Sequence, residues 1–342
     1  MNSAANSKTT KDKVYVSRVK TLAPIAFASF VVSLLLVPAA PAQKMKFLRQ
    51  EDCSVAIVSR LVGSKQPVCD GKIVQEMARR GHAFQQSQQG MASILALGPD
   101  YNEKDARQWF QHAAQKGYAP AQVNLAVMYA NGWGAPLNYG EALYWLHAAA
   151  DQGFPRAYYN LGFLYLQGRG VHQNNSEALR WFRKGADAND AASQVNLGYM
   201  VDQGLGCTRS ATAAASWYRK AADAGNPLGE NNLADLYLRG EGVAQDTGKA
   251  FRLFQKSASE GNTGARIKLG YMYAEGLGTS KDPETAYAWI ESASLSGDAR
   301  GEYLIPSLNA QLTPSQISSA RERARQLSSN LTPQLTAVVF AP

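Results

Sequence analysis

Cysteine is nearly absent from this chain: three occur in 342 residues, at Cys53, Cys69 and Cys207. A structural zinc site needs four closely spaced ligands, and three scattered thiols do not supply that spacing. Histidine is as scarce, with four copies and no His-Glu-x-x-His. His112 and His147 lie nearly one sequence period apart, yet no further ligands stand near them, so no metal is expected. Gly-x-Ser-x-Gly is missing, and the single Ser-x-x-Lys, Ser17 to Lys20, falls in the leader. Without a nucleophile or base in any of these arrangements, the expectation is a protein that catalyses nothing and uses no cofactor. Long apolar runs are also missing after Val37, so no later segment is long enough to span a bilayer.

A strong excess of one charge is missing too, once position is considered. The formal net charge is +8. Residues 1–42 carry Lys8, Lys11, Lys13, Arg18 and Lys20 against Asp12, which leaves 30 basic and 26 acidic side chains elsewhere. That balance gives no basic stripe and argues against nucleic acid as a partner. The leader itself reads as an export signal: a basic stretch, an apolar run from Leu22 to Val37, then small residues ending Ala40-Pro41-Ala42. Cleavage after Ala42 is expected, and an uncleaved anchor is the alternative that would tie the chain to a membrane. An exported chain folds in an oxidising compartment, where Cys53 and Cys69 either close a short loop or stay as thiols. A bridge there is worth about 3 kcal/mol in the chain-entropy model.

What the sequence does have is a period. Trp109, Trp145, Trp181, Trp217 and Trp289 fall on a 36-residue ruler, with Leu253 at the vacant step. The same ruler carries Leu125, Leu161, Leu197, Leu233 and Leu269, the alanines from Ala106 to Ala286, and five Gly-x-Gly loops from Gly132/Gly134 to Gly276/Gly278. A fixed period of this size means stacked equal units, each unable to bury its apolar face alone. Unit starts fall at Gln85, Ala121, Ala157, Ser193, Gly229, Ala265 and Gly301, with five units complete and the outer two degenerate. Ala157, Leu161 and Tyr165 are spaced as one face of a first helix, and Ala178, Trp181, Phe182 and Gly185 as one face of a second.

Helix boundaries are written in side-chain chemistry. Asn102, Asn138, Asn174, Ser210, Asp246 and Asp282 precede the second helices and can accept hydrogen bonds from the first turn. Gly117, Gly153, Gly225, Gly261 and Gly297 stand where those helices must stop. The Gly-x-Gly loops have no preceding strand and no Walker lysine, so they are read as turns and not as phosphate cradles. The pattern is expected to break at Pro306, and Thr313-Pro314-Ser315-Gln316 opens a last helix with a capping box. Its Ile317, Ala320, Ala324 and Leu327 are expected to cover the final repeat, with Arg321, Arg323 and Arg325 facing water or a partner. The resulting division is a signal over 1–42, a linker or cap over 43–84, the repeats over 85–312, a capping helix over 313–329 and a tail over 330–342.

Ala157-Tyr158-Tyr159-Asn160-Leu161-Gly162-Phe163-Leu164-Tyr165, then Gly168-Arg169-Gly170-Val171, then Glu177-Ala178-Leu179-Arg180-Trp181, resembles the Sel-1-like repeat family, relatives of the tetratricopeptide repeat. The resemblance covers roughly residues 71–327. It departs at Val201, Asn189, Leu253 and Cys207, where tyrosine, glycine, tryptophan and valine are usual. It implies an all-α, right-handed superhelical solenoid of helix pairs that serves as an adaptor or scaffold, often in a bacterial periplasm or the endoplasmic reticulum lumen. Some cysteine-rich relatives are described as penicillin-binding β-lactamases, but the cysteine pair in each repeat is missing here. Binding of cell-wall glycan is a further alternative.

Candidate binding residues follow from the same register. Asn124, Asn160, Asn196 and Asn232 form a column on the first helices, which the resemblance places along the concave surface. Their amides either grip the backbone of an extended peptide or bond neighbouring helices together. The column Gln122, Tyr158, Gln194, Glu230 and Arg266 varies from unit to unit and is expected to complete a protein- or peptide-binding surface. The tryptophans are expected in the core, sharing a face with the alanines, one per interface; the alternative is a stacking platform for a ligand.

Overall fold

The computed structural model describes residues 81–95 and 102–329, and every regular element among them is α-helical. Cys53, Cys69, the leader and the tail lie outside the described residues. Unit one pairs α1 (Ala83–Leu95) with α2 (Glu103–Gln115), and unit two α3 (Ala119–Asn131) with α4 (Tyr139–Asp151). Units three and four are α5 (Pro155–Gln167) with α6 (Asn175–Asp187) and α7 (Ala191–Gln203) with α8 (Ala211–Asp223). Units five and six are α9 (Pro227–Arg239) with α10 (Thr247–Ser259) and α11 (Thr263–Glu275) with α12 (Pro283–Leu295). The chain closes on α13 (Arg300–Asn309) and α14 (Pro314–Ser329).

The six residues expected before second helices all cap them. Asn102, Asn138, Asn174, Ser210, Asp246 and Asp282 each accept from backbone N–H groups of the first turn. Each is fixed a second time, because its own N–H donates to the carbonyl nine residues earlier, from Asn102 to Ser93 through to Asp282 to Tyr273. The Gly-x-Gly loop between the helices therefore has both ends held. Its first glycine is the left-handed stop of the first helix, as at Gly204. Its second presses on the start of the preceding unit's second helix: a Cβ on Gly206 would lie 2.6 Å from the Asn175 carbonyl oxygen. Asn189, the one described non-glycine at positive φ, takes the stop position after α6, a conformation asparagine tolerates.

The deepest column is not the tryptophans but the position after each step of their ruler, the Leu253 step included. Phe110, Leu146, Phe182, Tyr218, Phe254 and Ile290 are all buried, while among the tryptophans of the ruler only Trp181 is, at 8% exposure. Phe110, Phe182, Tyr218 and Ile290 each land on a glycine twenty positions earlier in their own unit, Gly90, Gly162, Gly198 and Gly270 in turn. A Cβ on Gly162 would stand 2.8 Å from the Phe182 ring. The indoles lie one position round the helix, at the rim of the seam. Lys184 and Lys220 cover the faces of Trp181 and Trp217 at 4.4 and 4.0 Å.

Apolar clusters formed between neighbouring units follow one another along the stack. First helices of neighbouring units approach one another at α5 and α7 and again at α7 and α9, which makes the first-helix side the tighter, inner side. At the far end, Pro306 does not end the helix, which runs through it to Asn309. The capping helix α14 packs on α12, burying Ala320 and Ala324 with Ile317 and Leu327 beside them. Thr313 and Gln316 form the capping box. Arg321 and Arg323 turn back onto α12, donating to the Tyr287 hydroxyl and to Glu284 and Thr285.

Candidate functional site

The inner face is built by first helices that stop at a glycine and start at Pro155, Pro227 or a capping Asp190, Asn226 or Asn262. Six of the nine residues expected to meet a partner there are instead buried: Gln122, Asn124, Gln194, Glu230, Asn232 and Arg266. The sequence register was right, but the helix face it assigned to them was not open. Gln122, Gln194 and Arg266 each reach the last turn of the preceding second helix, donating to the carbonyls of Ala114 (3.2 Å), Ala186 (3.4 Å) and Ala258 (3.2 Å). Each gives a second hydrogen bond to a carbonyl that already accepts from the turn after its helix, from the N–H of Gly117, Asn189 and Gly261 in turn.

Arg266 goes furthest. At 1% exposure it also donates to the Ser292 carbonyl, the Ser296 hydroxyl and the Leu327 carbonyl of α14, so it ties the capping helix to the stack. Tyr158 is half-buried and stacks on Trp181 at 6.0 Å, with Lys184 over both rings.

The asparagine column divides in two. Asn124 donates to the Met91 sulfur of the preceding unit, 33 residues back, and Lys268, the next rung after Asn232, reaches Asp235 over the same step. From Asn160 and Asn196 that step lands on Val127 and Phe163, whose side chains accept nothing. Their amide nitrogens turn instead to their own helix, to the carbonyls of Arg156 (2.8 Å) and Ala192 (2.9 Å). Both residues stay half-buried, with their amide nitrogens bonded within their own helices. Asn232 is closed off, its oxygen accepting from Asn231 at 3.0 Å.

Aromatic and charged groups frame these two amides. Tyr159 packs against Phe163 and Phe182, with the Arg156 guanidinium 5.3 Å from its ring and Asp190 3.7 Å from Arg156. Loss of water around its hydroxyl pushes Tyr159 up to about 12, with Arg156 opposing and Asp190 adding to the shift, so it stays a neutral donor. Beyond Tyr199 lies a belt of ion pairs: Asp202 with Arg209, Arg209 and Arg239 with Glu241, and Lys268 with Asp235. Burial raises Asp202 above the usual carboxylate range, against the pull of Arg239 and Arg209.

Tyr159, Tyr199 and this charged belt were missed by sequence reasoning. They sit at unit offsets that read as ordinary core, and only stacking shows which neighbour covers them.

The remaining candidates do not assemble into a reactive centre. His112 packs on Trp109 and His147 on Trp181, so the two imidazoles serve different indoles. Among the described residues, no group of three or more His, Cys, Asp or Glu side chains is placed to hold a metal. A shallow cleft at Asn102, Lys104, Gly132 and Gly134 offers little to a phosphate, since the Gly134 N–H already donates to Glu103 at 3.0 Å.

Comparison with known proteins agrees with this architecture. The family model described as the Sel1 repeat matches residues 86–118, 119–154, 155–190, 191–226, 227–262 and 264–298, so unit one scores as a repeat as well. A Sel1 repeat protein from Oxalobacter formigenes is 33% identical with a TM-score of 0.58, over 63% of this chain and 86% of that one. A protective antigen present in uropathogenic Escherichia coli strains, displaying an SLR fold, is 28% identical with a TM-score of 0.55, over 77% of this chain. The present chain spans 64% of that antigen's length. A search of curated proteins found no match.

Proposed function

This chain belongs to the Sel1 repeat family, and from that footing we propose that it is an exported, non-catalytic scaffold that holds an extended segment of a partner protein on the inner face of units three and four. Sel1 repeats generally serve protein interaction, and the solenoid here has the surface for it. The observation that carries the finer reading is the pair of half-buried asparagines, Asn160 and Asn196, one unit apart in a column whose other rungs are consumed inside the stack. Side-chain carbonyl oxygens at a fixed repeat can accept successive backbone N–H groups of an extended chain, while Tyr159 and Tyr199 give it an amphipathic wall. Export rests on the basic and apolar leader ending at Ala42.

Affinity capture from the native compartment, with wild type and an Asn160→Ala/Asn196→Ala double variant side by side, tests the surface. Neither substitution removes an inter-unit bond, so the double variant should fold with wild-type circular dichroism and lose the captured protein. Equal recovery by both would remove this face from the binding site.

A further inference from the structure

The slot that Gln122, Gln194 and Arg266 fill with a donor in units two, four and six holds the aromatic Tyr158 in unit three and Glu230 in unit five. In unit two the slot is complete: Gln122 donates to Ala114 and its oxygen accepts from Gln152 at 2.8 Å. Three units on, the same two positions are occupied by Glu230 and Glu260, so an amide pair has become a carboxyl pair. Glu230 is 0% exposed. Neither of its oxygens meets a hydrogen-bond donor of regular geometry, and one buried oxygen of Glu260 also lacks one. The Lys256 ammonium lies against Glu230 from the solvent side. The register puts the carbonyl of Ala222, eight residues back in the last turn of α8, where the donors of units two, four and six find theirs.

We propose that Glu230, with Glu260 beside it, makes the joint between units four and five pH-sensitive: protonated, Glu230 closes the slot as a glutamine does; ionised, it leaves the joint held from outside by Lys256. A carboxylate accepts but cannot donate, and the C-terminal end of α8 carries the negative end of the helix dipole, so the ionised form is doubly mismatched to its place. The charged groups facing it are Lys256 and Glu260 from the end of α10, with Asp223 of α8 acting on Lys256. Burial raises the Glu230 carboxyl above the ordinary range, Lys256 opposes that, and Glu260 adds to it. A raised folded-state value means the joint's extra stability is fully present below the unfolded glutamate value and is lost as pH rises through the folded one. Acidification therefore tightens this joint, while the glutamine joints are indifferent to pH.

Glu230→Gln in the full chain is the test, since glutamine already fits the slot at Gln122 and Gln194. At neutral pH the variant's Tm should exceed wild type by roughly 2–4 °C, and the gap should close near pH ~4. Amides in the last turn of α8 should exchange more slowly in the variant at neutral pH and equally in acid. A variant Tm at or below wild type at neutral pH would show the Lys256 pair to be the net stabiliser and overturn the proposal. So would a gap independent of pH, or unchanged exchange at this joint.

Discussion

Phe182 and Trp181 are adjacent in sequence, both buried, and still do different work. Phe182 drops onto Gly162 inside its own unit, whereas Trp181 lies at the rim under Lys184 and against Tyr158. The tryptophan ruler was easy to see because tryptophan is rare. The deep column was hidden because Phe, Leu, Tyr and Ile share its positions and no residue type marks it. Phe182→Ala should cost about 3–5 kcal/mol, and Trp217→Ala, half-buried and capped by Lys220, about half that or less. Urea denaturation of the two variants decides the order, and the reverse order would return the tryptophans to the centre of the core. The same scale explains why Gln122, Gln194 and Arg266 were read as partner-facing. Their variability looked like specificity, but each of the three donates to the last turn of the preceding second helix.

Among elements, the glycines of the turns separate into two kinds that look alike in sequence. Gly206 and Gly225 both sit at positive φ, near 75°. A Cβ on Gly225 would meet open space, whereas one on Gly206 would collide with the Asn175 carbonyl of the preceding unit. Gly225→Ala should therefore cost about 1 kcal/mol for the backbone alone, and Gly206→Ala clearly more, because a helix must move. Equal losses of stability in chemical denaturation would mean that the loop does not set the spacing of the units. Helix ends were legible because capping is local chemistry: six oxygen-bearing side chains in one column were enough to place six helix starts. Pro306 breaks the repeat pattern, as expected, without ending the helix. It marks a lost backbone donor, but α13 is short and exposed there, and one missing bond does not end it.

The molecule as a whole is held by nearest neighbours, and its ends show what that requires. α14 covers α12 with Ala320 and Ala324 and accepts a bond from Arg266 through Leu327. A chain ending before Pro314 should expose Tyr287 and Ile290, lower the Tm by several degrees or more, and associate on size-exclusion chromatography. A truncated protein that stayed monomeric with an unchanged Tm would show the capping helix to be dispensable. At this scale the fold was readable from the period, but the binding face was only half readable. Which of the column residues stay open depends on their neighbours in the stack: Met91 and Asp235 engage Asn124 and Lys268 from 33 positions away, Asn231 closes Asn232, and Val127 and Phe163 leave Asn160 and Asn196 available.

The second glycine of each loop touches the residue 31 positions before it, and each cap is tied to the carbonyl nine before it. Both partners of every such contact recur with the repeat, so copying any block of 36 residues copies a complete set of couplings. The chain is thereby free to grow or shrink by whole modules while an insertion of any other length breaks a coupling on each side of it, and the reach of the inner face can be altered by duplication without inventing a new joint.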